Sequence, residues 1–297
     1  MKNLAPIVLF TYNRIDVLKE SIESLKKNPL AKKSNLIIYS DNYKSNKDKK
    51  KVLRVREFLK EIKGFNKKKI FYRKRNYGLA KNIMRGVTEV FKKSTKVIVL
   101  EDDIKVSKYF LHYMNRSLDI YEKKKKIWHI SGWNYNVKVA CTKDAYFTRA
   151  MNCWGWATWK DRWQFFQKKP KKIINKWTKR EIYRFNLNGS YNFYTQIERN
   201  FSKKLNSWAV FWYATIFQNN GLCLNPTKTL VKNIGIGKFS TNTKSLNDIF
   251  MSSFTDANFL PVKFPIKINE NIKFFTTIRK KFLKKNKIKN YILKFFK

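Results

Sequence analysis

The stretch Thr95-Lys96-Val97-Ile98-Val99-Leu100-Glu101-Asp102-Asp103-Ile104 decides the fold of this sequence. Its apolar run, from Val97 to Leu100, has the length and composition of a buried parallel strand. Three carboxylates follow directly, at the carboxyl end of the strand, which is where α/β proteins bind ligands. The stretch therefore predicts a parallel sheet with an acidic site at one edge.

The acidic triplet is unusual in this chain, which has 66 Lys and Arg residues against 20 Asp and Glu residues. Neighbouring carboxylates repel one another unless a cation shares their site. Hard oxygen ligands suit Mg²⁺ or Mn²⁺, held by one or two protein ligands and completed by a diphosphate. A solvated acidic turn is the alternative interpretation. The position after a buried strand, in so basic a chain, favours the metal site.

Strand-like and helix-like segments alternate along the first hundred residues. The pattern predicts strands at 6–10, 36–39, 70–72 and 97–100, with helices at 15–27, 48–62 and 79–91 between them. A helix at 109–121 and a strand at 127–133 follow. This alternation predicts a mostly parallel α/β sheet with right-handed crossovers and helices on both faces.

Size and composition describe a globular protein with a substantial core. A chain of 297 residues, 43% hydrophobic, can form one large α/β domain or one domain with a small appendage. No apolar run approaches the ~18 residues of a membrane span. The first residues lack a signal-peptide core, and the three cysteines lack metal-like spacing. We therefore expect a cytoplasmic protein.

The net charge of +46 indicates anionic partners. Nucleic acid, an anionic membrane surface and anionic substrates all fit, and a lysine-rich composition also arises from an AT-rich genome. No nucleic-acid-binding signature accompanies the charge. The first hundred residues contain neither GxGxxG nor a Walker loop, so dinucleotide and P-loop chemistry are not indicated.

Four motifs follow successive predicted strands: Thr11-Tyr12-Asn13-Arg14, Asp41, Arg75-Asn76-Tyr77-Gly78 with Asn82, and Glu101-Asp102-Asp103. In this order and spacing they resemble GT-A nucleotide-sugar glycosyltransferases. The chain is similar to family 2 enzymes and to the α-mannoside β-1,2-N-acetylglucosaminyltransferases, whose metal motif is also Glu-Asp-Asp. The resemblance implies a GT-A (Rossmann-like) fold, a Mn²⁺ or Mg²⁺ cofactor and a nucleotide diphosphate sugar donor, UDP-linked.

The resemblance also implies roles for individual residues. Asp103 would be the direct metal ligand, and Asp102 would face ribose or sugar. Asp41 would accept hydrogen bonds from the base, and Arg75 would lie near the diphosphate. The remaining donor-site residues would be Thr11, Asn13, Arg14, Asn76, Gly78, Asn82 and Glu101. For Asn13, Asn76 and Asn82, ordinary turn and capping chemistry is the alternative.

An aromatic segment, Asn152-Cys153-Trp154-Gly155-Trp156-Ala157-Thr158-Trp159, marks the second third of the chain. It resembles the Trp-Gly-Trp-Ala-Thr-Trp element of bacterial sugar transferases, and aromatic faces stack on the apolar side of a pyranose. We therefore expect sugar or acceptor contacts from Trp154, Gly155, Trp156 and Trp208, with plain core packing as the alternative. His129 is expected to be structural.

The general base is not evident. Asn206 occupies the position where relatives carry an aspartate, and an amide cannot take up a proton. Asn242 stands where such relatives show a histidine. Either another acid such as Glu198 serves as the base, or the alignment slips, or activity is reduced.

The tail from Asn271 to Lys297 is basic and contains no acid. Its apolar residues fall near helical spacing: Phe275, Ile278, Phe282, Ile288, Ile292 and Phe295 or Phe296. This pattern predicts a basic amphipathic helix lying on an anionic inner leaflet. The alternative is a helix docked on the protein body.

We divide the chain into a nucleotide-sugar-binding half (1–105), an acceptor-binding half of the same domain (106–262) and this tail (263–297).

The first functional hypothesis is a metal-dependent, inverting glycosyltransferase, peripheral on the inner face of the cell membrane. Its acceptor would be a hydroxyl of a surface glycan or a lipid-linked oligosaccharide. A nucleic-acid-binding protein is the second hypothesis, which the acidic triplet disfavours because carboxylates repel phosphates. A GT-A domain that binds glycan or nucleotide without catalysis is the third, which Asn206 and Asn242 keep open.

Overall fold

The computed structural model describes residues 3–137, 139–235 and 258–295, with side chains as far as residue 283. Asn242 lies outside these residues. The strands are β1 (Ile7–Thr11), β2 (Asn35–Ser40), β3 (Lys67–Tyr72), β4 (Lys96–Glu101), β5 (Ile104–Val106), β6 (Ile127–Ser131), β7 (Ala145–Thr148), β8 (Trp156–Trp159), β9 (Leu222–Pro226) and β10 (Val231–Asn233). The helices are α1 (Ile15–Lys26), α2 (Asn46–Glu61), α3 (Gly78–Val90), α4 (Phe110–Tyr121), α5 (Lys160–Trp163), α6 (Pro170–Lys176), α7 (Lys179–Phe185), α8 (Tyr194–Phe201), α9 (Ala209–Gln218) and α10 (Ile272–Phe295).

Within the described ranges, eight strands form one sheet in the order β3-β2-β1-β4-β8-β6-β9-β7. Strands β3, β2, β1 and β4 are parallel neighbours, as are β6 and β9, whereas β8 and β7 run antiparallel to their neighbours. Leu9 lies between Ile38 and Leu100, and every residue of β1 is buried. Both faces of the sheet are therefore covered, which confirms the predicted mostly parallel α/β fold.

The first three helices pack on the sheet through regularly spaced apolar side chains. In α1, Leu18, Ile22 and Leu25 are buried at intervals of three and four residues, as an amphipathic helix requires. In α3, Gly86 lets the helix approach the sheet, because a Cβ there would lie 2.6 Å from the Phe10 ring. The predicted bounds of these helices differ from the observed ones by one or two residues.

A short antiparallel pair brings a distant segment to the acidic triplet. Strand β5 follows the triplet immediately and pairs with β10, so that Asn233 lies opposite Ile104. The Ile234 amide then donates a hydrogen bond of 2.8 Å to the carbonyl oxygen of Asp103. This pairing places Gly235 beside the carboxylates, a contact that the sequence does not predict.

The second half of the sheet is supported by an aromatic core centred on Trp156. Its ring lies 5.5 Å from His129, 5.2 Å from Trp208 and 5.7 Å from Trp163, measured between centroids. Trp212 packs on the same group, 5.1 Å from Trp163. The four tryptophans are buried, so these rings hold α5 and α9 against β6 and β8.

The segment before α10 and the first half of that helix dock on edge strand β7. The Asn271 amide donates to the Phe147 carbonyl, and the Asp144 amide donates to that of Lys263. Arg149 and Glu270 form an ion pair of 2.5 Å. The Phe274 ring stacks on Tyr146 with centroids 3.6 Å apart. The tail therefore covers an edge that would otherwise expose unpaired backbone groups.

Phe275, Ile278 and Phe282, which the sequence assigned to a membrane-facing surface, are buried against the protein. For these three positions the docked alternative is correct. Membrane contact stays a prediction and now concerns residues 284–297, whose side chains lie outside the description. No helix in the described part of the chain is long and apolar enough to cross a membrane.

The domain boundaries also stay predictions, although β4 and β8, from the two proposed halves, are neighbours in one sheet.

We expect Phe274→Ala to lower the free energy of unfolding by about 3–5 kcal/mol, because it removes a buried ring and leaves a cavity against Tyr146. Denaturant unfolding followed by circular dichroism measures the change. Ile266→Ala is the matched control, since Ile266 is 89% exposed. We expect the control to change stability by less than about 0.5 kcal/mol. Equal stability of both variants would show that the tail is not docked as described.

Candidate functional site

Polar residues gather where β1, β2 and β4 end, at one edge of the sheet. Strand β4 ends in Glu101, which lies beside Phe10 of β1, and β1 ends in Thr11 opposite Ser40 of β2. Asp102 and Asp103 follow β4 and are buried, with 4% and 8% of their surface exposed. The three predicted motifs at these strand ends are therefore brought together.

The guanidinium of Arg14 lies between two carboxylates of the triplet. Its Nη2 donates to Asp102 Oδ1 at 2.5 Å and to Asp103 Oδ2 at 2.9 Å. The Tyr12 amide donates to the other oxygen of Asp102 at 3.2 Å. The repulsion between the acids is thus relieved in part by a cation that the chain itself supplies.

Burial disfavours negative charge in the triplet. Burial raises the pKa of Glu101, and the neighbouring carboxylates of Asp103 and Asp102 raise it further. The pKa of Asp102 is raised by burial too, while Arg14 opposes the increase. A single guanidinium therefore leaves the three acids short of compensating positive charge.

Several buried polar atoms at this edge have no hydrogen-bond partner in the described part of the chain. They are Thr11 Oγ1, Ser40 Oγ, Asn42 Oδ1 and Asp103 Oδ1. An unsatisfied buried polar atom costs about 1–3 kcal/mol, so such atoms are rare in folded proteins. Their concentration at one sheet edge indicates a binding site for a polar ligand.

The donor set at Asp103 fits a divalent cation that is shared with a phosphate ligand. Among the described residues, no group of three or more His, Cys, Asp or Glu side chains forms a complete metal site. Mg²⁺, however, is commonly held by one or two carboxylates together with substrate phosphates. Asp103 Oδ1, which is buried and has no hydrogen-bond partner among the described residues, has the chemistry that such a ligand needs.

Asp41 holds the beginning of α3. Its Oδ1 accepts hydrogen bonds from the amides of Asn42 (2.9 Å) and Tyr77 (2.8 Å), and its Oδ2 accepts one from Gly78 (2.9 Å). Gly78 adopts a φ of +68°, which favours glycine. Because a carboxylate has about four acceptor positions, one remains at Oδ2. Asp41 is thus structural, and its predicted contact with a base stays a prediction.

Asp48, in the first turn of α2, fixes the loop after β1. It accepts hydrogen bonds from the Tyr12 hydroxyl at 3.0 Å and from Asn13 Nδ2 at 3.2 Å. The sequence alone assigned no role to Asp48, and it assigned none to the Tyr12 side chain. The pattern Ser45-x-x-Asp48 before a helix is the signal that would have identified the acid, since it is typical of helix beginnings.

The remaining donor-site residues form a second group around α3. Asn82 is buried and accepts a hydrogen bond from Arg73 Nε at 2.9 Å, and Asn76 donates to the Asn42 carbonyl at 2.6 Å. Both asparagines therefore make contacts within the protein, and their predicted roles in donor binding stay predictions. Arg75 is exposed, with its guanidinium 5.8 Å from the Tyr77 ring centre.

A family model described as the GNT-I family matches residues 1–187, which is more than half of the chain. The chain belongs to the GNT-I family. The match includes the loop after β1, the acidic triplet and the aromatic segment, so the family assignment rests on the region that forms this site.

The solved structures to which this chain is similar include two of S. aureus TarS and one of a mannosyltransferase. The TarS 1–349 structure has a TM-score of 0.44 at 11% identity, covering 77% of this chain and 60% of that one. A second TarS structure has a TM-score of 0.34 at 15% identity, covering 48% and 24%. The mannosyltransferase PcManGT from Pyrobaculum calidifontis, in complex with GDP-Man and Mn²⁺, has a TM-score of 0.38 at 8% identity, covering 73% and 70%. The chain thus spans less than two thirds of either TarS chain. No curated protein matches it.

In this GNT-I family chain, two of the four predicted sugar contacts are excluded by burial. Trp156 and Trp208 are 1% and 3% exposed, because each ring packs on the other in the aromatic core. Gly155 has a φ of +56°, and a Cβ there would lie 2.8 Å from Val231 and 3.1 Å from Phe110, so its predicted sugar contact stays a prediction.

Trp154 is half-buried and stays a candidate for a sugar contact. It packs edge-on against Trp133, and its amide donates to Asn152 Oδ1 at 2.8 Å. The neighbouring Cys153 lies close to the triplet: burial raises the pKa of its thiol, and the charges of Glu101 and Asp103 raise it further. The segment that carries Trp154 is thus beside the acidic site.

His129 is a structural residue, as expected. Trp212 Nε1 donates to its Nδ1 at 3.1 Å, and its Nε2 lies 2.8 Å from the Asn152 carbonyl oxygen. An indole N–H only donates, so Nδ1 accepts and the ring is neutral with its proton on Nε2. Burial lowers the pKa of His129 to about 4.

The structure does not identify a general base. Glu198 is exposed on α8, and no described contact joins it to the triplet. Asn206 accepts a hydrogen bond from Lys168 Nζ. An amide paired with a lysine has no capacity to remove a proton from an acceptor hydroxyl.

We expect Asp41→Ala to lower the free energy of unfolding by at least about 2 kcal/mol, because three backbone amides lose a charged acceptor. Chemical denaturation measures the loss. Asp16→Ala, which removes an exposed acid from the first turn of α1, is the matched control and should cost less than about 1 kcal/mol. Similar losses for the two variants would contradict the structural role of Asp41.

We expect His129 to make the fold sensitive to mild acid. Its pKa is about 4 in the fold and ~6.5 when unfolded, so the unfolded state binds more protons between these values. The stabilisation is complete above pH 6.5 and falls as the pH decreases, by about 2 kcal/mol at pH 5. Unfolding titrations of wild type and His129→Gln at pH 7 and pH 5 measure this component, which the variant should lack. His112→Gln, at the half-buried second histidine, should keep most of the loss of stability between pH 7 and pH 5. The same pH dependence in wild type and His129→Gln would overturn the assignment.

Proposed function

We propose that this GNT-I family protein is a metal-dependent glycosyltransferase that moves a sugar from a nucleotide diphosphate sugar to an acceptor hydroxyl. The observation that carries the proposal is Asp103 Oδ1, a buried and unpartnered carboxylate oxygen among the other unpartnered polar atoms of the same sheet edge. A divalent cation bound there would supply Lewis-acid stabilisation of the leaving diphosphate. The donor nucleotide would be UDP, by resemblance to the family.

The chain's own residues would prepare the donor site in three ways. Asp48 fixes the loop that carries Asn13, which keeps the nucleotide side of the site ordered. The Tyr12 amide and Arg14 orient Asp102. Asp41 aligns the first amides of α3 and retains one acceptor position for the base.

The acceptor would be a hydroxyl of a surface glycan or lipid-linked oligosaccharide, and the net charge of +46 supports an anionic acceptor or surface. Trp154, half-buried beside the triplet, is the aromatic residue best suited to contact the sugar. Residues 284–297 remain the proposed contact with an anionic membrane surface. Inversion at the sugar is proposed by resemblance alone.

A second candidate function is the binding of nucleotide or glycan without transfer. The pairing of Asn206 with Lys168 favours it, because the position where relatives carry an acid holds an amide here. Release of UDP from UDP-sugars, with and without acceptor glycans, distinguishes the two functions. Binding without any release would favour the second.

We expect Asp103→Asn to abolish the Mn²⁺-dependent part of UDP binding, because it removes the charge from the proposed ligand. Fold stability should change little, since removal of one acid also relieves repulsion within the triplet. Calorimetric titration of UDP with and without Mn²⁺ measures the effect. The control is Glu57→Gln, which removes an exposed acid of α2 and should bind like the wild type. Metal-independent UDP binding in the wild type would sink the proposal.

A further inference from the structure

We infer that Arg14 is a resident counter-ion that a divalent cation must displace, so that the acidic site takes up the cation and the nucleotide diphosphate together. The inference rests on the proposed function, because it assigns a role to Arg14 toward the metal of that site. It goes beyond it by setting how the two ligands depend on each other.

The guanidinium occupies the place that a cation would share. One nitrogen, Nη2, contacts Asp102 and Asp103 at 2.5 and 2.9 Å, and both carboxylates are at least 88% buried as side chains. Asp103 Oδ2 is therefore occupied, and Oδ1 is buried. Among the described residues, Arg14 thus leaves little of the Asp103 carboxylate exposed to a cation.

The backbone closes the other side of the same contact. A Cβ at Gly235 would clash with Asp103 Oδ2 and would lie 2.5 Å from Arg14 Nη1, so the backbone passes directly over the pair. Gly235 is held by its amide, which donates to Asn233 Oδ1 at 2.9 Å, and Ile234 is held by the Asp103 carbonyl. The guanidinium, which is on a flexible side chain, is the group that can leave at lower cost.

Arg14 is suited to leave and to be used again. Its backbone is fixed, because its carbonyl accepts a hydrogen bond from the Leu18 amide at the start of α1. Only Nη2 makes hydrogen bonds to described residues, so Nε and Nη1 keep their donors. A guanidinium with free donors is well matched to phosphate oxygens.

Charge then makes the two ligands interdependent. A divalent cation that arrives alone faces the positive charge of Arg14 at the same two carboxylates, which lowers its affinity. A diphosphate that arrives with the cation offers Arg14 a new anionic partner. By linkage, each ligand should then raise the affinity for the other by the same factor.

The test is calorimetric titration of Mn²⁺ alone, of UDP alone, and of each in the presence of the other. In the wild type we expect Mn²⁺ alone to bind weakly and saturating UDP to raise its affinity at least about tenfold. If UDP binds and the Mn²⁺ affinity is nevertheless equal with and without it, the inferred coupling is overturned, and this measurement needs no variant.

Three variants separate the counter-ion role from a purely structural one. Arg14→Gln should bind Mn²⁺ alone at least about tenfold more tightly than the wild type, and its coupling to UDP should fall. Arg14→Lys keeps a cation and should keep the weak binding. Arg184→Gln removes an exposed charge on α7 and controls for net charge. Unchanged or weaker Mn²⁺ binding by a folded Arg14→Gln protein would show a structural ion pair and contradict the inference.

The Mn²⁺-only measurement decides the role of Arg14, whereas the UDP measurement decides the proposed function. Tighter Mn²⁺ binding by Arg14→Gln without any UDP binding would support the counter-ion and reject the nucleotide. Metal-dependent UDP binding, with no effect of Arg14→Gln on the affinity for Mn²⁺, would support the proposed function and reject the counter-ion role of Arg14.

Discussion

The contact between Arg14 and the carboxylates of Asp102 and Asp103 is the interaction on which the arrangement of the site depends. Like charges at the end of a buried strand are unfavourable, and burial makes them more so. The guanidinium of Arg14, the residue just before α1, reduces this repulsion. Because α1 starts there, the loop after β1 is drawn toward the end of β4, and the two strand ends form one site.

Several of the scarce acids, buried or half-buried, have a definite structural role. Asp41 holds the start of α3, Asp48 holds the loop after β1, and Glu270 fixes the tail through Arg149. Asp144 accepts hydrogen bonds from the amides of Val262 and Lys263. Acids that bind backbone amides or single arginines organise loops, whereas the triplet keeps an unpartnered oxygen. This contrast, rather than acidity alone, distinguishes the proposed metal ligand from the structural carboxylates.

The elements that the sequence predicted well are those set by local periodicity. Helices α1, α2 and α3 and strands β1 to β4 follow from apolar spacing. What was missed depends on distant contacts: β8 inserts antiparallel between β4 and β6, and β10 returns to β5. Gly235 and Arg14 meet only through that return, so no spacing in the sequence reveals it.

The role of the tryptophans also depends on distant contacts that the local sequence does not reveal. A run of aromatic residues indicates either a core or a sugar platform, and composition does not distinguish the two. Their position in the sheet does: Trp156 begins β8, which lies inside the sheet, so its ring faces the core formed by α5 and α9. Trp154 precedes the strand and escapes this constraint, which is why it alone of the three predicted tryptophans is not fully covered.

In the tail, the same uncertainty about what covers an apolar surface concerns a whole helix, α10. Helical spacing of apolar residues with lysines between them shows that one face of a helix is covered, and it does not show by what. In α10 the face of Phe274, Ile278 and Phe282 is covered by the protein, while Lys273 and Lys280 point outward. β7 is an edge strand, and it requires a covering segment whatever residues lie on the outer face of α10. The docking of the helix therefore does not depend on the lysines of its outer face.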